Sequence, residues 1–106
     1  MAKKPDKAGD VKQKLLKADK VLADTLDYAR AERLYRDILG EDPDNVFAMN
    51  SIVFCMRSQQ GHNREDEVLD ICLRALSKNP QSFDTNFNIA MWYQQKGKLQ
   101  VALEYY

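Results

Sequence analysis

The residue types that bind metals or move protons crowd into one short stretch. His62 is the single histidine, and Asn63, Glu65, Asp66 and Glu67 follow it. A metal site needs several such ligands held on one side of the ion. Here the histidine stands in a polar turn, Gln60-Gly61-His62-Asn63, and a solvated surface is its expected state. Asp66 and Asp70 are one helical turn apart and adjoin Glu65 and Glu67. They read as a solvated acidic face rather than an acid–base pair, because nothing encloses them. The two cysteines, Cys55 and Cys72, fall on apolar helix faces and are expected to be buried thiols, not a disulfide or a redox pair. No Cys-x-x-Cys, phosphate-binding glycine loop, Ser/His/Asp set or nucleotide fingerprint occurs. The chain is therefore expected not to be an enzyme and to hold no metal and no cofactor.

What carries these residues is a small helical chain. Its 106 residues suffice for one domain, and 44% apolar residues allow a modest core. Gly and Pro are scarce, at four and three, and Ala, Leu, Lys, Arg, Asp and Glu dominate, a mixture that favours helices. Sixteen basic and sixteen acidic residues cancel, so no global field draws the protein to nucleic acid or an anionic membrane. Residues 1–20 nonetheless hold seven Lys against three Asp. No apolar leader resembles a signal peptide, and no apolar run could span a bilayer. Free thiols without an export signal point to a reducing compartment, the cytoplasm.

Residues 1–10 lack apolar periodicity and read as a polar tail. From Val11 onward, Val11, Leu15, Ala18 and Leu22 lay one apolar stripe on a helix. After a turn at Leu26-Asp27, a second helix carries Ala31, Leu34, Tyr35, Ile38 and Leu39, with Gly40 and Pro43 expected to stop it. Asp44 or Asn45 can cap a third helix bearing Ala48, Met49, Ile52, Val53 and Met56, which the turn at Gln60 breaks. Asn63 can cap a fourth, with Val68, Leu69, Cys72, Leu73, Ala75 and Leu76 on its apolar face. Ser82 is the expected cap of a fifth, carrying Phe83, Asn86, Ile89, Ala90 and Tyr93. Lys96-Gly97-Lys98 precedes a sixth that begins at Leu99. Short turns between helices imply antiparallel neighbours.

Segments of this pattern recur in phase. Tyr28-x-x-Ala31-x-x-x-Tyr35-x-x-Ile38-Leu39 precedes Asp42-Pro43-Asp44-Asn45, and Val68-x-x-x-Cys72-x-x-Ala75-Leu76 precedes Asn79-Pro80-Gln81-Ser82. The last segment reads Ile89-Ala90-x-x-Tyr93-x-x-x-Gly97-x-Leu99-x-x-Ala102-x-x-x-Tyr106. This resembles the tetratricopeptide repeat, whose units of about 34 residues alternate small and aromatic positions and close on Pro. The resemblance covers roughly residues 12–106. It implies an all-α fold of stacked antiparallel hairpins in a right-handed superhelix, with units at about 12–45, 46–82 and 83–106, the last truncated, in a repeat domain over 11–106. Three departures stand out. Asp19 replaces a small residue, Trp92 replaces an Ala, and Gln59–Glu67 lengthens the turn of the second hairpin.

In that family the first helix of each hairpin lines a groove. Carried over by position, this gives Gln13, Leu16, Lys20 and Asp24 from the first unit. Phe47, Asn50, Phe54 and Arg57 come from the second, and Asp84, Phe87, Asn88, Met91 and Gln94 from the third. Phe47, Phe54, Phe87 and Met91 lie off the main packing stripes, where large apolar groups are informative. Asn50 and Asn88 could bond a peptide backbone, and the alternative use of the Phe residues is packing between hairpins. The carboxylate clamp that holds chaperone tails in some members is not matched. Its places hold Leu16, Lys20, Ser51, Asp84 and Asn88, and Asp84 would repel a carboxylate.

The function expected from all this is a protein–protein interaction module binding a peptide or helix of a partner. Two alternatives stay open. One is self-association through Leu99, Ala102, Leu103 and Tyr106, which no following helix covers. The other is an N-terminal targeting arm of a larger enzyme that continues past Tyr106.

Overall fold

The computed structural model describes residues 7–59 and 64–106. Six α-helices follow one another among these residues, with no strand: α1 (Lys7–Thr25), α2 (Tyr28–Glu41), α3 (Val46–Ser58), α4 (Glu65–Lys78), α5 (Phe83–Gln95) and α6 (Leu99–Tyr105). Each packs on its neighbour in sequence, and α3 also meets α5. The radius of gyration is 15.0 Å, against about 13 Å for a compact domain of this length, and the long axis reaches 57 Å. The helices therefore form an elongated stack.

Local chemistry sets the helix ends. Asp27, Asn45 and Ser82 cap α2, α3 and α5, each accepting from the backbone N–H three residues on. The same turn is built twice. Asp42 N–H bonds Ile38 O and Asn79 N–H bonds Ala75 O, at 2.8 and 2.9 Å. Pro43 and Pro80 follow, and both preceding residues stay out of the helical region (φ −132°, ψ 81° and φ −145°, ψ 87°), as a following proline favours. Gly97 (φ 76°) closes α5 in the left-handed conformation glycine tolerates.

Several boundaries differ from expectation. The first helix begins at Lys7, not Val11, so residues 7–10 are helical rather than tail. The second passes through Gly40 to Glu41, because Pro43 acts through Asp42 while Gly40 merely lowers helix propensity. Residues 1–6, the expected break at residues 60–63, the expected cap Asn63 and the expected surface position of His62 all lie outside the described residues.

Small and large residues alternate across the core. Ala18, Ala31, Ala48, Ala75, Ala90 and Ala102 are buried where helices approach, and Tyr35, Ile38, Met49, Ile52, Val53 and Ile89 fill the space between. Cys55 and Cys72 are buried free thiols. Two of the apolar residues that the spacing groups on helix faces, Leu73 and Phe83, fall off the core. On α4 the buried stripe is Val68, Ile71, Cys72 and Ala75, which turns Leu73 outward to 43% exposure. Phe83, the first residue of α5, is 78% exposed. Among the described residues no helix is long and apolar enough to cross a membrane.

Candidate binding groove

The caps at Asn45 and Ser82 fix the phase of α3 and α5. On α3 that phase sets Phe47, Asn50, Phe54 and Arg57 in one stripe, at helical spacings of three and four. On α5 it does the same for Asp84, Phe87, Asn88, Met91 and Gln94. The two stripes share adjoining cavities. One, of about 400 Å³, is lined by Asp19, Leu22, Tyr35, Phe47, Asn50, Ser51, Phe54, Asp84, Phe87 and Asn88. The next, about 380 Å³, is lined by Phe54, Arg57, Ser58, Phe87, Asn88, Met91 and Gln95. A third continues along Phe87, Met91, Gln94, Gln95 and Tyr106. All nine residues singled out on α3 and α5 thus reach the walls of one run of cavities. Early residues of both helices share the first cavity and late residues the second, so α3 and α5 run parallel.

The contribution of α1 differs from expectation. Asp19 and Leu22 reach the wall of the first cavity, while Gln13, Leu16, Lys20 and Asp24 are exposed outside it. Asp19, the misfit of the repeat pattern, accepts a hydrogen bond from the Tyr35 hydroxyl. Burial, reinforced by that carboxylate, pushes the Tyr35 phenol well above its usual range.

The aromatic residues are engaged and exposed at once. Phe47, Phe54 and Phe87 keep 53%, 52% and 41% of their surface. Phe54 meets Tyr28 edge-on with centroids 6.1 Å apart, and Phe87 sits between Phe83 and Tyr106, at 6.0 Å from each. They brace their neighbours and still offer a face to a ligand.

The amides are less available than the sequence suggested. Asn50 Nδ2 donates to the hydroxyl of buried Thr85 at 3.0 Å. Asn88 Nδ2 donates to Asn50 Oδ1 at 3.3 Å. Asn50 is therefore committed to tying α3 to α5. Asn88 lines both cavities, and its Oδ1 accepts no hydrogen bond among the described residues.

A second polar cluster, which sequence reasoning missed, lies beside the groove. Glu32 is 7% exposed and accepts from both terminal nitrogens of Arg64 at 2.9 Å, from Arg36 Nε at 2.8 Å and from Gln59 Nε2 at 2.7 Å. Arg36 also reaches Glu67 at 2.6 Å. Burial alone would raise the Glu32 pKa, but the bonds from Arg64, Arg36 and Gln59 outweigh it and hold the carboxyl at about 2. The only hint in the sequence was the i,i+4 pair Glu32 and Arg36. Nearby, Trp92 Nε1 donates to Glu65 O at 2.8 Å, which gives the indole at this unusual position a polar anchor. Both clusters cross-link helices. Asp66 and Asp70 remain exposed on α4, and no group of three metal-ligating side chains forms among the described residues.

Compared with known proteins, the chain matches no family model and no curated protein.

Proposed function

We propose that this chain is a tetratricopeptide-like repeat module that holds a peptide or helix of a partner protein in the groove between α3 and α5. In this reading the hairpins α1–α2, α3–α4 and α5–α6 stack as a right-handed superhelix. The repeated Pro turns, the buried alanines and the elongated shape support it. The observation that carries the function is the half-exposure of Phe47, Phe54 and Phe87 along one run of cavities. Large aromatic surface left wet at the floor of a groove is what a partner's apolar side chains would cover. The module works by binding and not by catalysis, and its buried free thiols suit a reducing compartment, the cytoplasm.

The test is site-specific capture. A photo-crosslinking phenylalanine analogue at Phe54 is expected to trap a partner in cells, and the same analogue at Leu73, outside these cavities, is not. Phe54→Ala and Phe87→Ala should each weaken binding of that partner by about tenfold or more. Undiminished binding by both variants sinks the groove reading.

A second reading is favoured by a different surface. Leu99 and Leu103 on α6, with Tyr106 and Phe83, are among the most exposed large apolar residues. They suit contact with another copy of the chain. Sedimentation at rising concentration should then reveal a dimer that Leu103→Asp abolishes; a monomer throughout removes self-association.

A further inference from the structure

The groove holds a charge that its own walls do not answer. Arg57 is half-buried on the wall shared with Phe54, Phe87 and Met91. Its Nη1 lies 3.3 Å from Met91 Sδ, a weak acceptor that leaves most of the guanidinium unmet. No carboxylate pairs with it among the described residues, whereas Arg36 and Arg64 both hold Glu32. Arg57 stands in the last turn of α3, where a cation offsets the helix dipole. That role asks for charge alone and leaves the donor fork unspent.

The opposite end of the groove is acidic. Asp84 and Asp19 line the first cavity, and neither forms an ion pair among the described residues. A ligand carboxylate is repelled there and attracted at Arg57. Ten residues of α3 separate Phe47 from Arg57, or about 15 Å of helix, a span that about five residues of an extended segment cover. Next to the second cavity a third, lined by Phe87, Met91, Gln94, Gln95 and Tyr106, gives a bound chain further room.

We infer that the segment held in this groove carries an internal Asp or Glu side chain that pairs with Arg57. It sits among apolar side chains resting on Phe54, Phe87 and Met91, and the part of the segment that carries it lies toward the C-terminal ends of α3 and α5. This rests on the groove reading and gives it a partner chemistry. It differs from capture of a chain terminus by a set of cations: one arginine, set among apolar residues, takes one side-chain carboxylate in mid-segment.

Selection from a random peptide library tethered through its C termini, so that only side chains present carboxylates, tests it on the 106-residue chain. Expected is enrichment of Asp or Glu at one position next to aromatic or aliphatic residues. Arg57→Gln should abolish the acidic preference and keep the apolar one, and Arg57→Glu should select Lys or Arg at the same position. Replacing the selected Glu by Gln should weaken binding to the wild type by roughly tenfold and leave binding to Arg57→Gln unchanged. Circular dichroism checks that both variants fold, and the wild-type preference decides the matter even if they do not. Enriched peptides without an acid, or with the same acid on all three proteins, overturn the pairing and leave the groove standing. No enrichment at all, or enrichment that Phe54→Ala and Phe87→Ala leave untouched, overturns both.

Discussion

Arg64 grips Glu32 with both terminal nitrogens, each 2.9 Å from a carboxylate oxygen. The pair joins the middle of α2 to the residue before α4, and Gln59 at the end of α3 donates to the same carboxylate. One buried glutamate therefore ties the residue after α3 to the residue before α4, across the longest interval between consecutive helices among the described residues. A buried, bidentate pair of this kind is costly to break from one side, because Arg64 then loses its counter-charge and Arg36 keeps only Glu67.

Acid should release this clasp. Glu32 is held at about 2 against 4.5 for an ordinary glutamate. A depressed carboxyl stabilises the fold fully above the unfolded value, and that stability is lost as the pH falls from about 4.5 toward 2. The stake is about 3 kcal/mol at neutral pH. Urea denaturation at pH 7, 4 and 2.5 should show this loss in the wild type and a flatter profile in Glu32→Gln. Glu32→Ala should cost about 3 kcal/mol at pH 7. An unchanged pH profile in Glu32→Gln would mean that other carboxylates dominate.

The Asp19–Tyr35 bond makes a second prediction. Tyr35→Phe leaves the Asp19 carboxylate without its hydroxyl, and Asp19→Ala leaves a buried phenol without its acceptor. Each should cost about 1–2 kcal/mol. The double variant removes both partners, and it should be more stable than the sum of the single losses implies, by about 1 kcal/mol of coupling. Additive losses would show that the two residues act independently.

These two contacts also mark where the sequence was legible. Helix number, the alanine positions and the caps Asn45 and Ser82 follow from local spacing, which acts over a few residues. Glu32 and Arg64 stand 32 residues apart, and no periodicity links them. Asp19 broke a pattern and so read as a misfit, although its function is to meet Tyr35 across the α1–α2 contact. Position within the resembled repeat picked out residues of α3 and α5 that line one run of cavities, because both helices start at well-defined caps. It failed on α1, where the residues that reach the groove, Asp19 and Leu22, lie on a different stripe from Leu16 and Lys20. The spacing groups Phe83 with Ile89, Ala90 and Tyr93 on the fifth helix, yet it is exposed. At the first position of α5 it has no preceding turn to pack under.

Two glycines should respond in opposite directions. Gly40 lies within α2 with open space where a Cβ would stand. Gly40→Ala should therefore stabilise by about 0.5–1 kcal/mol, through helix propensity and a less flexible unfolded chain. Gly97 also has open space, but its φ of 76° disfavours any side chain, and Gly97→Ala should cost about 1 kcal/mol. Leu26 holds φ 53° without being glycine, so Leu26→Gly relieves strain and should gain up to about 1 kcal/mol. Thermal melts of the three variants check the signs. A Gly97→Ala as stable as the wild type would refute the left-handed turn before α6.

The buried thiols offer a probe of the whole stack. Burial, with the charge of Glu32 adding to it, pushes the Cys55 thiol up to about 11. Burial pushes Cys72 to about 11 as well, against the opposing charge of Arg57. At pH 7 only about one thiol in ten thousand is then ionised, and neither sulfur is reached by solvent. A charged disulfide reagent should leave both cysteines unmodified in the native chain and label both in urea. Its slow native rate should report the free energy of opening. Because Glu32 holds α2, the end of α3 and the start of α4 together, Glu32→Ala should raise the labelling rate of both cysteines at pH 7. The increase should match the stability lost in denaturation. Fast labelling of either cysteine in the wild type, or an Glu32→Ala rate that stays at the native level despite lower stability, would mean that α3 and α4 open independently of that clasp.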